Sequence, residues 1–220
     1  MKIICIIPAR GGSKRIKNKN IFKINSNPLI NLVIKKIYRS KYIKNFYVFT
    51  NDQSIKKSVE KLKKFKKISI LSRSKESEKD IASTEILLDE INVKLDFDIA
   101  ILLQITNPFI NYKIIDSAIK KFIKMKYDSL LSVVPMKSFM WEKKGDYIKP
   151  KNYKIFERPR SQEINEYYLE NGSFYIFKKS NYLKNKNRLG GKIGYFQMKK
   201  ESIFELDDYS DLEIIKKLIE

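Results

Sequence analysis

The chain has 220 residues, a formal charge of +21, a single cysteine and no histidine. That length suits one domain burying roughly 70% of its unfolded surface, so the fold requires no disulfide or metal staples, and the lone Cys5 points to a reducing, cytoplasmic setting. The opening MKIICIIPAR is too short an apolar run for a signal peptide, no segment approaches the ~18 apolar residues of a membrane span, and no membrane partner is expected. The charge raises the possibility of a nucleic-acid surface, but lysines are scattered through nearly every segment and arginines number only seven. That distribution describes a solvated cationic surface rather than a phosphate-tracking stripe, and no specific nucleic-acid partner is expected.

In chain order, residues 2–8 (KIICIIP) form a continuous apolar run closed by Pro8 and Gly11, the pattern of a strand buried on both faces of a parallel sheet. From Pro28, the spacing of Leu29, Leu32, Val33 and Ile37 predicts a helix, and 45–50 (NFYVFT) a second strand. Asp52 or Ser54 caps a helix reaching about Lys64. Residues 67–71 are strand-like, and Ser83 or Thr84 starts a helix to about Val93. A wholly apolar strand at 98–104, a helix near 112–126 and a strand at 129–135 complete an α/β pattern, a doubly wound and mostly parallel sheet in a single domain. Residues 137–170, rich in aromatics and lysine, read as an irregular β-rich insertion. Strands at 172–178 and 192–198 and a terminal helix over 211–219, capped near Asp208 or Ser210, follow.

In open α/β sheets, ligands sit outside the carboxyl ends of the strands, and four polar segments fall there. ARGGSKR follows the first strand. Its glycines admit close approach of a phosphate and its amides form an anion nest, with Arg10, Lys14 and Arg15 as compensating charge; an ordinary tight turn on a cationic surface has the same composition. KDIAST (79–84) follows the third strand. LLQITNP (102–108) sets Gln104, Thr106 and Asn107 at a strand end, either to read a base or sugar edge or to make a polar turn. In FELDDYSD (204–211), Glu205 and Asp207 share a face if extended, and such a pair suits Mg²⁺; the same residues also suit helix capping.

Taken together, IIPARGGSKRIKNKN, NPLI at 27–30, VFTND at 48–52, LSR at 71–73, DIAST, LLQITNP, RPRSQ with YYLENGSFYIF, RLGGK at 188–192 and ELDDYSDLE resemble the acylneuraminate cytidylyltransferase family over nearly the whole chain. This is the family of CMP-sialic acid synthetases and their legionaminic and pseudaminic acid relatives. The resemblance implies a Rossmann-like nucleotidyltransferase fold and a cytidylyltransferase that moves CMP from CTP to the anomeric hydroxyl of an acidic 2-keto (nonulosonic) sugar. The products would be pyrophosphate and a CMP-sugar for lipopolysaccharide or capsule synthesis.

It further implies a CTP site from Arg10, Gly11, Gly12, Ser13, Lys14, Asn20, Arg73, Thr84 and Gln104. Lys14, Arg10 and Asp207 would be catalytic, and Mg²⁺ would sit on Asp207 with Glu205, where the family usually has Asp. On the sugar side, the resemblance and the search for a carboxylate partner give Gln104, Arg158, Arg160, Asn171 and Lys192. The three cations of that set, Arg158, Arg160 and Lys192, are candidates because Leu169 and Ile110 stand where the family carries arginine. The insertion at 137–170 corresponds to the region through which these enzymes form homodimers, and its Phe139, Trp141, Tyr147, Tyr153 and Phe156 are the aromatic patch expected there. Lys17 and Lys19 read as general lysine abundance. A nucleotidyltransferase using another base or a phosphorylated acceptor, or a basic nucleic-acid-binding protein, are the alternatives.

Overall fold

Alternate residues of the first strand, β1 (Ile3–Pro8), enter different cores: Ile3, Cys5 and Ile7 face one, Ile4 and Ile6 the other. That two-sided burial is what a continuous apolar run produces when both sheet faces are covered. The computed structural model describes residues 1–13, 15–62, 64–79 and 81–219. After β1 come a small hairpin of β2 (Lys23–Ile24) and β3 (Asn27–Pro28), then α1 (Leu29–Ile37), β4 (Ile43–Phe49), α2 (Gln53–Glu60), β5 (Ile68–Leu71), α3 (Lys75–Glu78) and α4 (Thr84–Lys94). The chain continues through β6 (Ile99–Leu103), α5 (Tyr112–Lys124), β7 (Ser129–Met136), a hairpin of β8 (Trp141–Lys144) and β9 (Tyr147–Pro150), β10 (Tyr167–Lys178), α6 (Lys179–Asn185), β11 (Ile193–Gln197) and α7 (Tyr209–Ile219).

Seven strands form one sheet in the order β11-β7-β10-β6-β1-β4-β5. All pairings are parallel except those of β10 with β6 and β7. Helices α1, α2, α5 and α7 cover one face and α4 and α6 the other, so the sheet is doubly wound as the alternation of elements predicts. The chain steps outward from β1 to β4 and β5, then returns across β1 to β6. This reversal places the loops after β1 and β6 side by side, which is where a ligand crevice opens in such sheets.

Three elements differ from the sequence reading. Helix α2 stops at Glu60 rather than near Lys64, because Leu62 N turns back to the Val59 carbonyl (2.8 Å) and buries its side chain. The strand expected at 172–178 starts five residues earlier, at Tyr167, because YYLE pairs with the end of β7. Between Glu170 and Tyr175 the β10–β7 register slips, and Gly172 takes a left-handed φ of 58° at that bulge. Within the insertion, β structure is confined to the β8–β9 hairpin and the first residues of β10, Tyr167–Glu170; between them the chain makes a 3₁₀ turn at Ile155–Glu157.

Candidate functional site

The glycines after β1 have distinct reasons to be there. Gly11 lies against Asp52, whose carboxylate occupies the space a side chain would need, and Gly12 has a φ of 73°. Beyond them Ile16 is fully buried and anchors the loop, and Asn18 adopts a left-handed conformation that starts the 3₁₀ turn at Lys19–Ile21. Asn20 then donates its amide to the Arg10 carbonyl at 2.7 Å, closing the loop on itself. The result is a turn whose backbone and cations face the crevice between β1 and β6.

That crevice is a cleft of about 280 Å³. Arg10, Ser13, Asn20, Arg73, Thr84 and Gln104, all expected from sequence, line it, together with Lys19, Thr106 and an apolar wall of Ala82, Leu87 and Leu102. Gly11 and Gly12 line the adjoining niche next to Asp52. Lys14 lies outside the described residues. Among the described lining residues the cleft contains three cations, Arg10, Lys19 and Arg73, and no carboxylate. A small volume with that charge suits a polyanion.

Each wall is fixed by backbone contacts. Asn51 clamps Arg73 from both sides, donating to its carbonyl and accepting from its N–H, each at 3.0 Å. The Arg73 side chain donates to the Ser77 carbonyl, while its buried Nε has no hydrogen-bond partner among the described residues. Burial, reinforced by the nearby charge of Arg10, lowers the Arg73 pKa, with Glu78 and Glu90 opposing. Two guanidinium groups on one cleft, with their charges close enough to interact, favour an anionic ligand. Thr84 is the first residue of α4, and the Gln104 N–H is held by the Ser173 carbonyl on the β10 bulge (3.0 Å).

The acidic segment joins this cleft from the far end of the sequence. Leu206 N donates to the Thr106 carbonyl at 2.8 Å, docking 204–207 alongside the end of β6. Asp207 thereby meets Lys19 at 3.0 Å and Arg15 at 3.5 Å. Glu205 accepts from the Thr106 hydroxyl at 3.2 Å and lies directly over Gly172, where any side chain would collide with its carboxylate. Burial raises the Glu205 pKa, as do Asp207 and Glu170, against the pull of Thr106 and Lys19. Asp208 accepts from Ser210 N and Asp211 N (2.9 and 3.1 Å) and so caps α7, as expected.

Lys19 is the residue that sequence reasoning dismissed. Its side chain is only 18% exposed, reaches the cleft and pairs with Asp207. The available clue was its place immediately before Asn20, because a tight turn that aims one side chain at the cleft fixes its neighbour as well.

The sugar-side candidates are not brought together. Asn171 is 1% exposed and its amide donates to Ser202 Oγ (2.8 Å) and Met198 Sδ (3.3 Å), a framework role at the bulge. Lys192 precedes β11 at the amino edge of the strands, opposite the cleft, and donates to the Met125 carbonyl at 3.0 Å. Arg158 stacks on the insertion's own rings, 3.9 Å from the Phe139 centroid, and Arg160 is exposed. Within the insertion Phe139 and Tyr153 pack edge to face at 4.8 Å and are partly buried, leaving Trp141, Tyr147 and Phe156 exposed. Leu169 and Ile110, at the positions of the missing arginines, both contribute to the larger core.

A cationic cleft at the switch point of a doubly wound sheet, flanked by two carboxylates, has the make-up of an α/β enzyme site for an anionic ligand. Residues 4–220 match the cytidylyltransferase family, and the chain belongs to it. It is 30% identical to the post-translational flagellin modification protein B of Campylobacter coli over 99% of this chain and 95% of that one. It is 34% identical to N-acylneuraminate cytidylyltransferase A of Danio rerio over 93% of this chain, which spans only about half (48%) of that longer protein. Among solved structures, a CMP:2-keto-3-deoxy-manno-octonic acid synthetase complexed with CTP superposes with a TM-score of 0.72 at 18% identity, covering 100% of this chain and 98% of that one. This last likeness establishes the fold.

Proposed function

We propose that the chain transfers CMP from CTP to the anomeric hydroxyl of a nonulosonic sugar, releasing pyrophosphate. The observation that carries this reading is the convergence of Arg10, Lys19 and Arg73 on one cleft with Thr84 and Gln104 on its walls. The sialic and legionaminic acid enzymes among the relatives support the sugar class, the latter at 28% identity over 99% of the chain.

In this reading the Arg10–Ser13 backbone and the three cations hold the triphosphate, with Arg73 contributing its charge from the far wall. Thr84 and the Gln104 amide face the nucleoside and its junction with the sugar. The sugar hydroxyl attacks the α-phosphorus, the bond to the bridging oxygen breaks, and the charge that builds on pyrophosphate is stabilised by Arg10 and Lys19. The hydroxyl proton passes to a carboxylate, since the chain has no histidine and Glu205 and Asp207 flank the cleft. Asp207, partly exposed and partnered by cations, and Glu205 beside it form an oxygen donor set of the kind Mg²⁺ takes together with substrate phosphates. When bound, Mg²⁺ would neutralise charge on those phosphates.

The exposed Trp141, Tyr147 and Phe156 support a homodimer in which the insertion of one subunit completes the sugar end of the other. A CMP-sugar donor for lipopolysaccharide or capsule synthesis in the cytoplasm fits this activity. Among the described residues, no helix is long and apolar enough to cross a membrane. The test is pyrophosphate release with each of the four nucleoside triphosphates against sialic, legionaminic, pseudaminic and 3-deoxy-octulosonic acids, with Mg²⁺ and with chelator. Release with CTP, dependent on Mg²⁺ and lost in Asp207→Ala, is expected. Release with a different nucleotide, or none with any sugar, would overturn the assignment.

A further inference from the structure

The RLGGK segment has no part in the chemistry above, yet its backbone is tightly fixed. Ser129 Oγ donates to the Gly190 carbonyl at 2.8 Å and accepts from Gly190 N at 3.0 Å, and Lys192 N donates to Asp128 at 2.9 Å. Gly191 has a φ of 61°, and a side chain there would collide with Asp128 and Asn181. This anchoring delivers Arg188 to one place. Its guanidinium pairs with Glu85 and lies 4.5 Å from the centre of the Tyr175 ring, with both members of the ion pair only 21% exposed.

The two contacts join α4 and β10, which share one core behind the cleft. Glu85 sits in the first turn of α4, next to Thr84. Tyr175 lies on β10 beside Leu102 and donates its hydroxyl to Glu170, at the edge of the bulge whose Ser173 carbonyl holds Gln104 N. Burial, then Glu170, pushes the tyrosine up to about 12, so it remains a hydrogen-bond donor at neutral pH. Glu85, Arg188, Tyr175 and Glu170 therefore form a bracket from α4, whose Thr84 and Leu87 line the cleft, to β10, which pairs with β6 and holds Gln104 N behind it. A mostly desolvated ion pair stacked on a buried ring resists displacement, because freeing either charge leaves the other uncompensated.

We propose that Arg188 is a positioning residue that fixes the separation between the Thr84 wall and the Gln104 wall, and with it the alignment of the α-phosphorus with the attacking sugar hydroxyl. This rests on the cytidylyltransferase reading, in which the two walls address nucleotide and sugar. Such a bracket acts on the reaction more than on the binding of either substrate alone, because only the ternary complex requires both walls in register.

The test compares the wild type, Arg188→Ala, Glu85→Gln and the double variant in three measurements: CTP affinity by titration, steady-state kinetics for both substrates, and amide exchange in 83–90 and 170–175. Each single variant is expected to lower kcat about tenfold or more with CTP affinity within about threefold, and the double variant to be no worse than the worse single one. Amide exchange should rise in both segments together. Unchanged kcat well below a lowered Tm would overturn the proposal in favour of a purely structural pair. A raised sugar KM in Arg188→Ala but not in Glu85→Gln would overturn it in favour of direct substrate contact. Glu85→Gln serves if Arg188→Ala fails to fold. A wild type that binds no CTP and turns over no sugar would sink the functional reading itself, while the exchange measurement would still report whether the bracket couples the two walls.

Discussion

Arg73 and Arg158 are both arginines expected to meet a negatively charged ligand, and the chain treats them in opposite ways. Around Arg73, Asn51 clamps the backbone, Ser77 takes one guanidinium nitrogen, and the side chain lines the cleft beside Arg10. Arg158 is spent on Phe139 and Tyr153 in an exposed insertion and does not line the cleft. The contrast separates a cleft whose cations this chain brings together from sugar-side candidates that it leaves apart. Preorganised donors cost nothing to assemble when the ligand arrives, whereas a site finished by a second subunit is conditional on assembly.

The largest expected effect lies in the cleft. Arg73→Ala removes a charged donor from the cleft and the partner of the buried Ser77 carbonyl, while the Asn51 clamp on its backbone stays, so the fold loses some stability and the ligand loses a cation. A charge-assisted hydrogen bond of roughly 1.5–3 kcal/mol corresponds to a rise of about 10- to 100-fold in the CTP dissociation constant. Titration calorimetry with CTP alone measures it, and an unchanged affinity would show that the cleft does not hold the triphosphate through this wall.

On the sugar side, Phe156 is fully exposed in the single chain, so Phe156→Ser removes nothing that this chain packs. If the insertion joins two copies, the variant shifts the protein toward monomer in light scattering. The sugar KM should rise by about tenfold while CTP affinity stays level. A variant that remains dimeric with an unaltered sugar KM would make both ends of the cleft the work of one chain and dissolve the contrast.

The same division governs what the sequence made legible. The alternation of strand and helix, the caps at Asp52 and Asp208 and the glycine turn after β1 are local features. They depend on residues within a few positions of one another, and they stand in the structure as read. Arg10, Ser13, Asn20, Arg73, Thr84 and Gln104, which the family resemblance implied for the nucleotide, line one cleft because strand ends in a doubly wound sheet converge there. Lys19 was not legible, because its significance is its 3.0 Å pair with Asp207, 188 residues away, and the chain's many other lysines conceal it. Asn171 misled for the converse reason. Its neighbours looked like a ligand motif, but the bulge turns its amide inward to Ser202. Side-chain direction at a bulge is set by register, and register is a long-range property.

The smallest expected effect tests how the two ends meet at Glu205. This carboxylate rests on the bare backbone of Gly172 and is partly desolvated, with Asp207 adding repulsion, so its pKa is raised in the folded chain. A carboxyl with a raised folded pKa binds its proton more tightly in the native state. Its ionisation therefore weakens the fold as pH rises through the window from the ordinary carboxylate value toward the folded one. Above that window the full penalty is present; below the ordinary value of about 4.3 it vanishes. Glu205→Gln keeps an acceptor for Thr106 and removes the charge. At neutral pH the variant should melt slightly higher than the wild type, by roughly 1–2 °C if the partly exposed group costs a few tenths of a kcal/mol. The difference should close as the pH is lowered toward 4, read by thermal melts across a pH series without nucleotide or metal. A variant that melts lower than the wild type at neutral pH would mean that Lys19 and Thr106 outweigh burial at this carboxylate, and that the junction between the two ends stabilises the fold instead of straining it.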